Sequence, residues 1–228
     1  WHPPVNDLVA LSPPVLEAAT RADQLGRRRV VAFVRTEDQH KGAHDLLALP
    51  PDVFDGHILS LVFGRGINEA YVAALRRHFA SARDFSIELH SQISDRDKFV
   101  LLAQARLLLF TSYFEGYGYP PVEAAWMGVP VVAYDLPVVR ETVGDAALYA
   151  PPGDTEAFAA AIRQTLASRP AGAQVRTAMR ITPDTATAGR KFLQLLASAG
   201  SLLPPLSGTV APRHVIANTA LLRNEPVQ

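Results

Sequence analysis

The chain has 228 residues, and its 22 Lys and Arg are balanced by 22 Asp and Glu, which argues against the basic footprint of a nucleic-acid binder or a polybasic membrane protein. Apolar residues make up 48% and charged residues 19%, enough to bury a core and too apolar for a disordered chain. There is no cysteine, so disulfides, thiolate metal sites and a Cys nucleophile are excluded.

The chain opens on Trp1-His2-Pro3-Pro4, without an initiator Met or the basic and apolar regions of a signal peptide. Residues 1–27 read as a linker and lead-in, and the chain as a piece of something longer. Val30-Val31-Ala32-Phe33-Val34 is a buried-strand run, followed by polar residues to Gly42 and a helical segment around 43–49. The next strand covers 58–63 and closes on Gly64-Arg65-Gly66; the helix after it carries Val72, Leu75 and Phe79 at helical spacing. A third strand is predicted at 85–89. Ser94, with Asp97 three residues on, marks the N-cap of a helix with Phe99, Leu102 and Ala103 on one face. Strands follow at 107–110, 129–134 and 147–150.

Beyond them, 154–168 is helical, with Phe158, Ile162 and Leu166 four apart, and Thr182-Pro183 starts a helix with Phe192, Leu195 and Leu196 inward. Residues 201–228 are a proline-containing tail, read as packing on something outside the domain. The longest apolar runs are about five to eight residues, short of the ~20 that span a bilayer, so no transmembrane segment is expected.

Strands alternating with helices predict an α/β fold, a Rossmann-like parallel sheet with helices on both faces, over residues 28–200. Such sheets bind ligands outside the carboxyl ends of their strands, so the residues after each strand are the candidates. Arg35 and Lys41 flank the first strand-to-helix turn. Two cations beside helix amides suit an anion such as a diphosphate, while a solvated loop with Glu37 and Asp38 as counter-charges is the plainer alternative. Gly64-Arg65-Gly66 is half of a dinucleotide fingerprint and a weak sign of a nicotinamide or flavin site. It permits the close approach of a ligand.

The fourth strand leads into Ser112-Tyr113-Phe114-Glu115-Gly116-Tyr117-Gly118-Tyr119-Pro120-Pro121-Val122-Glu123. Its glycines let the backbone turn amides toward a ligand, and its prolines begin a helix. Glu123 is then expected in the first helical turn, where a carboxylate can take two vicinal hydroxyls or simply partner the helix dipole. Glu115 can meet a polyol or a positive charge. Taken singly, the aromatic residues of this segment suit packing.

The segment resembles the glutamate-x7-glutamate motif of family 4 retaining glycosyltransferases of the GT-B fold. The likeness continues through Gly128-Val129-Pro130-Val131-Val132, Arg140-Glu141, Gly144-Asp145-Ala146-Ala147-Leu148 and Pro151-Pro152-Gly153-Asp154. Upstream, Arg35 and Lys41-Gly42 resemble the family's phosphate-binding pair, Gly64 and Gly66 its second-strand glycines, and Gln92-Ile93 the segment that holds the nucleobase. The resemblance covers about residues 28 to 168 and implies only the C-terminal, donor-binding half of a GT-B enzyme.

It further implies transfer of a sugar from a nucleoside diphosphate to an acceptor, with retention. Arg35, Lys41 and Glu115 would be catalytic. Gly64, Gln92, Ile93, Gly116, Tyr117, Gly118, Tyr119 and Glu123 would bind the nucleotide sugar, with Glu123 on the ribose. No cofactor and no metal are expected. The partners implied are a nucleotide sugar and a missing acceptor domain or chain, and the implied location is cytoplasmic, reaching the inner membrane face only through that missing half.

The alternatives are a nucleotide-sugar-binding module without transfer activity and a GT-B nucleotide-sugar isomerase. A glycosidase pair is a poor reading, because Glu115 and Glu123 bracket one loop instead of facing across a cleft. Asp95-Arg96-Asp97 has the Asp-x-Asp form of metal-dependent transferases but follows a capping Ser, so helix-start chemistry is the better reading. His40 and His44 are separated by Gly42 and lack a zincin Glu.

Overall fold

The computed structural model describes residues 5–168, 170–181, 183 and 185–200. Six strands form one sheet: β1 (Arg29–Val34), β2 (Ile58–Phe63), β3 (Ser86–Ser91), β4 (Ala105–Phe110), β5 (Val131–Tyr134) and β6 (Ala147–Ala150). All neighbours are parallel, in the order β3-β2-β1-β4-β5-β6. The order reverses between β1 and β4, and the crevice above their carboxyl ends is where such sheets receive ligands.

The helices are α1 (Asp7–Ala10), α2 (Pro13–Leu25), α3 (Glu69–His78), α4 (Asp95–Ala103), α5 (Tyr119–Trp126), α6 (Pro137–Thr142), α7 (Thr155–Ser168), α8 (Gly172–Ala178) and α9 (Thr185–Gly200). Because strand side chains alternate, the sheet feeds two cores. On one face Val31, Leu108 and Val131 pack with Phe99 and Leu102 of α4, Val122 of α5 and Val139 of α6. On the other, Val30, Leu59 and Leu107 pack with Val72 and Leu75 of α3 and with Phe158 and Ile162 of α7. Helices on both faces of a parallel sheet are the architecture that the strand–helix alternation predicts.

Strand bounds shift by up to two residues, α6 and α8 were not predicted, and three further segments differ from expectation. Residues 43–48 are a 3-10 helix and not an α-helix, because Gly42 in the left-handed region precedes them and Pro50-Pro51 follows, leaving too little chain to nucleate a stable α-helix. Within the 1–27 linker and lead-in, α2 packs on α4 and buries Val15 completely, a packing contact that the sequence did not disclose. The last helix runs from Thr185; Thr182, the side chains of Phe192, Leu195 and Leu196, and the 201–228 tail lie outside the described residues.

The cap of α4 is as predicted. Ser94 Oγ accepts the Asp97 amide at 3.1 Å and donates to the Asp97 carboxylate at 2.7 Å. Asp97 is thereby spent on helix initiation, which removes one half of the Asp-x-Asp reading. Ser94→Ala should cost about 1 kcal/mol, a melting temperature lower by about 2–4 °C in a thermal scan. An unchanged transition would show that the cap is dispensable.

Candidate donor-binding site

A cavity of about 610 Å³ opens at the carboxyl ends of β1 and β4. Its position follows from the strand order, and its walls are the turns that leave four strands.

The turn after β1 contributes Arg35 and Lys41. The loop after β4 contributes Glu115, Gly116, Tyr117, Gly118 and Tyr119. The turn after β2 contributes Gly64, and that after β3 contributes Gln92 and Ile93. Ten of the eleven residues singled out from the sequence therefore line one cavity, although they come from four separate segments. Glu123 is the exception: it is not among the lining residues, but its partner Lys98 is.

Two hydrogen bonds to backbone carbonyls fix the β1 and β4 turns to each other. The Tyr113 amide donates to the His40 carbonyl at 2.7 Å, and Thr111 Oγ1 donates to the Lys41 carbonyl at 3.0 Å. Gly42 lies in this seam with φ of 61°. A β-carbon on it would stand 2.1 Å from the Thr111 carbonyl oxygen. Lys41 thereby projects across to the other turn, and its Nζ meets Glu115 Oε1 at 2.7 Å. Both side chains are largely covered, so this is a partly desolvated charge-assisted bond. Lys41 is thus paired by the loop itself, not left open for an anion, and an ammonium with three donors can hold Glu115 and a ligand oxygen together.

Arg35 is more open. Its guanidinium reaches Asp38 at 3.4 Å, leaving most of its five donors for a ligand. Gly64 faces it: a β-carbon there would meet Arg35 Nε at 3.5 Å. Glu37 sits beside Arg65 at 3.8 Å, so both counter-charges considered from the sequence are present in the loops.

Gln92 has φ of 51°, a left-handed conformation that costs a non-glycine residue about 1–2 kcal/mol. Its amide donates to the Phe63 carbonyl at 3.2 Å. That bond holds the Gln92-Ile93 turn over the cavity as a shelf. Gly118, with φ of 78°, turns the β4 loop into α5. Tyr117 and Tyr119 stack edge to face with ring centroids 4.8 Å apart. Burial, then the neighbouring Tyr119, pushes the Tyr117 hydroxyl up to about 12, so it remains a donor at neutral pH.

Glu123 is the fifth residue of α5, one turn further in than expected, because the helix already begins at Tyr119. It is 5% exposed. Its Oε1 accepts Lys98 Nζ at 2.7 Å, and Lys98 in turn reaches Asp95 Oδ1 at 3.1 Å. Burial pushes the Glu123 carboxyl up, opposed by the Lys98 hydrogen bond and charge. Burial alone would lower Lys98, but Glu123 and Asp95 carry it above the usual lysine value.

Lys98 lines the cavity, and sequence reasoning missed it. It sits in the fourth position of α4, where a lysine reads as a solvated helix residue; the signal available was its i,i+3 spacing from Asp95. Among the described residues, no group of three or more His, Asp and Glu could hold a metal ion. None of the helices among them is long and apolar enough to cross a membrane.

The arrangement joins three cations, a glycine-rich loop and the Gln92-Ile93 turn around one cavity, with the buried Glu123 carboxylate held by one of the three. Residues 27–168 match the family described as Glycosyl transferases group 1. O-antigen chain mannosyltransferase B of Escherichia coli is 30% identical over 165 residues, which cover 71% of this chain and 43% of the relative. O-antigen chain mannosyltransferase RfbU of Salmonella typhimurium is 30% identical over 126 residues, covering 54% of this chain and 35% of the relative. The chain thus spans less than half the length of these curated relatives.

Among solved structures, sucrose-phosphate synthase of Thermosynechococcus elongatus superposes with a TM-score of 0.66 at 21% identity, over 88% of this chain and 52% of that one. The catalytic domain of starch synthase IV from Arabidopsis thaliana gives 0.61 at 15% identity, over 82% and 43%. At such identities these two show a shared fold, that of GT-B glycosyltransferases. The match across 27–168 spans the strands, both glycine turns and the 115–123 motif, and on that match the chain belongs to the group 1 glycosyl transferases.

Proposed function

We propose that this chain is the donor-binding half of a family 4 retaining glycosyltransferase and takes a nucleoside-diphosphate sugar without a metal ion. The observation that carries this reading is the meeting of Arg35 and Lys41 with the Gly116–Gly118 backbone and the Gln92-Ile93 shelf around one cavity. Two neighbours of the same fold support it: the starch synthase structure is bound to ADP and a TarM structure to UDP. The two curated relatives described above are mannosyltransferases, so a mannosyl donor is the first to try.

In this reading the diphosphate lies between Arg35, Lys41 and the loop amides, the base rests on Gln92-Ile93, and Glu123 takes the ribose hydroxyls. Glu115 meets the sugar hydroxyls. The bond from the anomeric carbon to the diphosphate oxygen breaks, and its electron pair leaves with the diphosphate. The acceptor oxygen bonds the carbon on the same face and gives its proton to a diphosphate oxygen. The growing negative charge on the leaving group falls beside Arg35 and Lys41, of which Lys41 is positioned beforehand by the folded seam. The acceptor binds on a second half.

The test is calorimetry with UDP, GDP and ADP, each with and without EDTA. Binding of at least one in EDTA is expected. No binding, or binding only with a divalent cation, would overturn the reading. Lys41→Ala should weaken the bound diphosphate by about 10–150-fold, the equivalent of roughly 1.5–3 kcal/mol for a charge-assisted contact. The corresponding nucleoside should change little. Equal losses for both would place Lys41 away from the phosphates.

A further inference from the structure

Lys98 has a place in the cavity that the donor site as described leaves unused. It stands on α4, opposite the 115–123 motif, with its side chain 18% exposed. Two of its three ammonium donors are committed, to Glu123 Oε1 at 2.7 Å and to Asp95 Oδ1 at 3.1 Å. Asp95 is steadied in turn by the Asn6 amide at 3.4 Å. The ammonium also lies 4.9 Å from the Phe99 ring centroid. The chain that results, Asn6–Asp95–Lys98–Glu123, runs from the lead-in segment through Lys98 at the cavity wall to a carboxylate buried beside it.

A carboxylate as buried as Glu123 ionises only at a cost unless a cation offsets it. Asp95 is the other charged group acting on it, and it opposes ionisation. Among the described residues, Lys98 is therefore the neighbour that favours the ionised, accepting form of Glu123. It also fixes which way the carboxylate points, because Oε1 is held and the other oxygen is left to face elsewhere.

We propose that Lys98 is a positioning residue for the nucleoside end of the cavity: by clamping Glu123 Oε1 it aims the remaining carboxylate oxygen at the ligand, and the preference for ribose over 2′-deoxyribose depends on it. This rests on the nucleoside-diphosphate reading above. A 2′-deoxy ligand lacks one of the two hydroxyls that an ionised carboxylate would accept, so the clamp converts a buried acid into a discriminator between sugars.

The test uses whichever of UDP, GDP or ADP the wild-type chain binds, beside its 2′-deoxy counterpart, by calorimetry from pH 6 to 8.5. The wild type should prefer the ribonucleotide by at least about tenfold, as for a hydrogen bond to a charged group. Lys98→Met, which keeps the apolar stem, should cut the preference to about threefold or less at pH 6.5. Part of it should return at pH 8.5, as the unpaired Glu123 ionises. Lys98→Arg should retain most of it. In a Glu123→Gln background, Lys98→Met should have no further effect on the ratio.

Far-ultraviolet circular dichroism identifies any variant that does not fold, and Lys98→Arg with the Glu123→Gln pair then carries the test. A preference unchanged in Lys98→Met at every pH would overturn the inference while leaving the donor reading intact. Absence of any nucleotide binding by the wild type would overturn both.

Discussion

Gly42→Ala should destabilise the fold by about 2–6 kcal/mol, the sum of a left-handed conformation forced on a residue with a β-carbon and of overpacking in a closed seam. The methyl group would stand 2.1 Å from a backbone oxygen, that of Thr111, and neither backbone can swing aside like a flexible side chain. The seam is stitched on both sides of the clash, by Tyr113 to His40 and by Thr111 to Lys41. Relief therefore means parting the turn after β1 from the loop after β4, and nucleotide affinity should fall with stability because Lys41 moves.

Gly56→Ala is the control. Gly56 has φ of 75° but open space around it, so only the conformational penalty of about 1–2 kcal/mol applies. Urea titrations of both variants, read at a common m-value, would measure the difference. Equal losses at the two positions would show that the seam yields, and that its closeness does not hold Lys41.

The contrast between these glycines shows which parts of the molecule the sequence discloses. Local chemistry was legible. The β-branched run at 30–34 buries in two directions, the Ser94 cap forms, and the Gly118-Tyr119-Pro120-Pro121 turn begins a helix. The turns after β1, β2 and β4 could be picked out from their own strands, whereas Gln92-Ile93 came from the family resemblance and Lys98 was missed. The order of strands was not legible, because it is decided by which hydrophobic faces meet across long separations.

Lys98 and Glu123 are 25 positions apart on two helices, and nothing in either helix alone announces their contact. Nor is it legible that Lys41 pairs with Glu115, 74 positions away, before any ligand arrives. The ion pairs of the site are tertiary facts, and they decide which charges are open to a ligand.

The largest effect expected concerns sugar transfer. Residues 1–228 should bind a nucleoside-diphosphate sugar and yet transfer it hardly at all, turning it over at most by slow hydrolysis. The described residues build one sheet, and the cavity has the walls that one sheet supplies. In the loop that walls it, Phe114 is 70% exposed and Tyr119 is 44% exposed. The relatives are more than twice as long as the stretch they share with this chain.

A reacting hydroxyl must be held about 3 Å from the anomeric carbon, and holding it there is worth ~7–11 kcal/mol of barrier, or roughly 10⁵–10⁸-fold in rate. Arg35 and Lys41 can stabilise the leaving diphosphate without supplying any of that. Water, unpositioned, inherits the activated donor. Product analysis by mass spectrometry with an isotope-labelled donor separates the outcomes. Slow release of free sugar by residues 1–228, and glycosylated acceptor once a second Rossmann-like half is supplied in cis or as a separate chain, is the expected pair of results. Rapid transfer by residues 1–228 alone would place an acceptor site within them and would end the two-half reading.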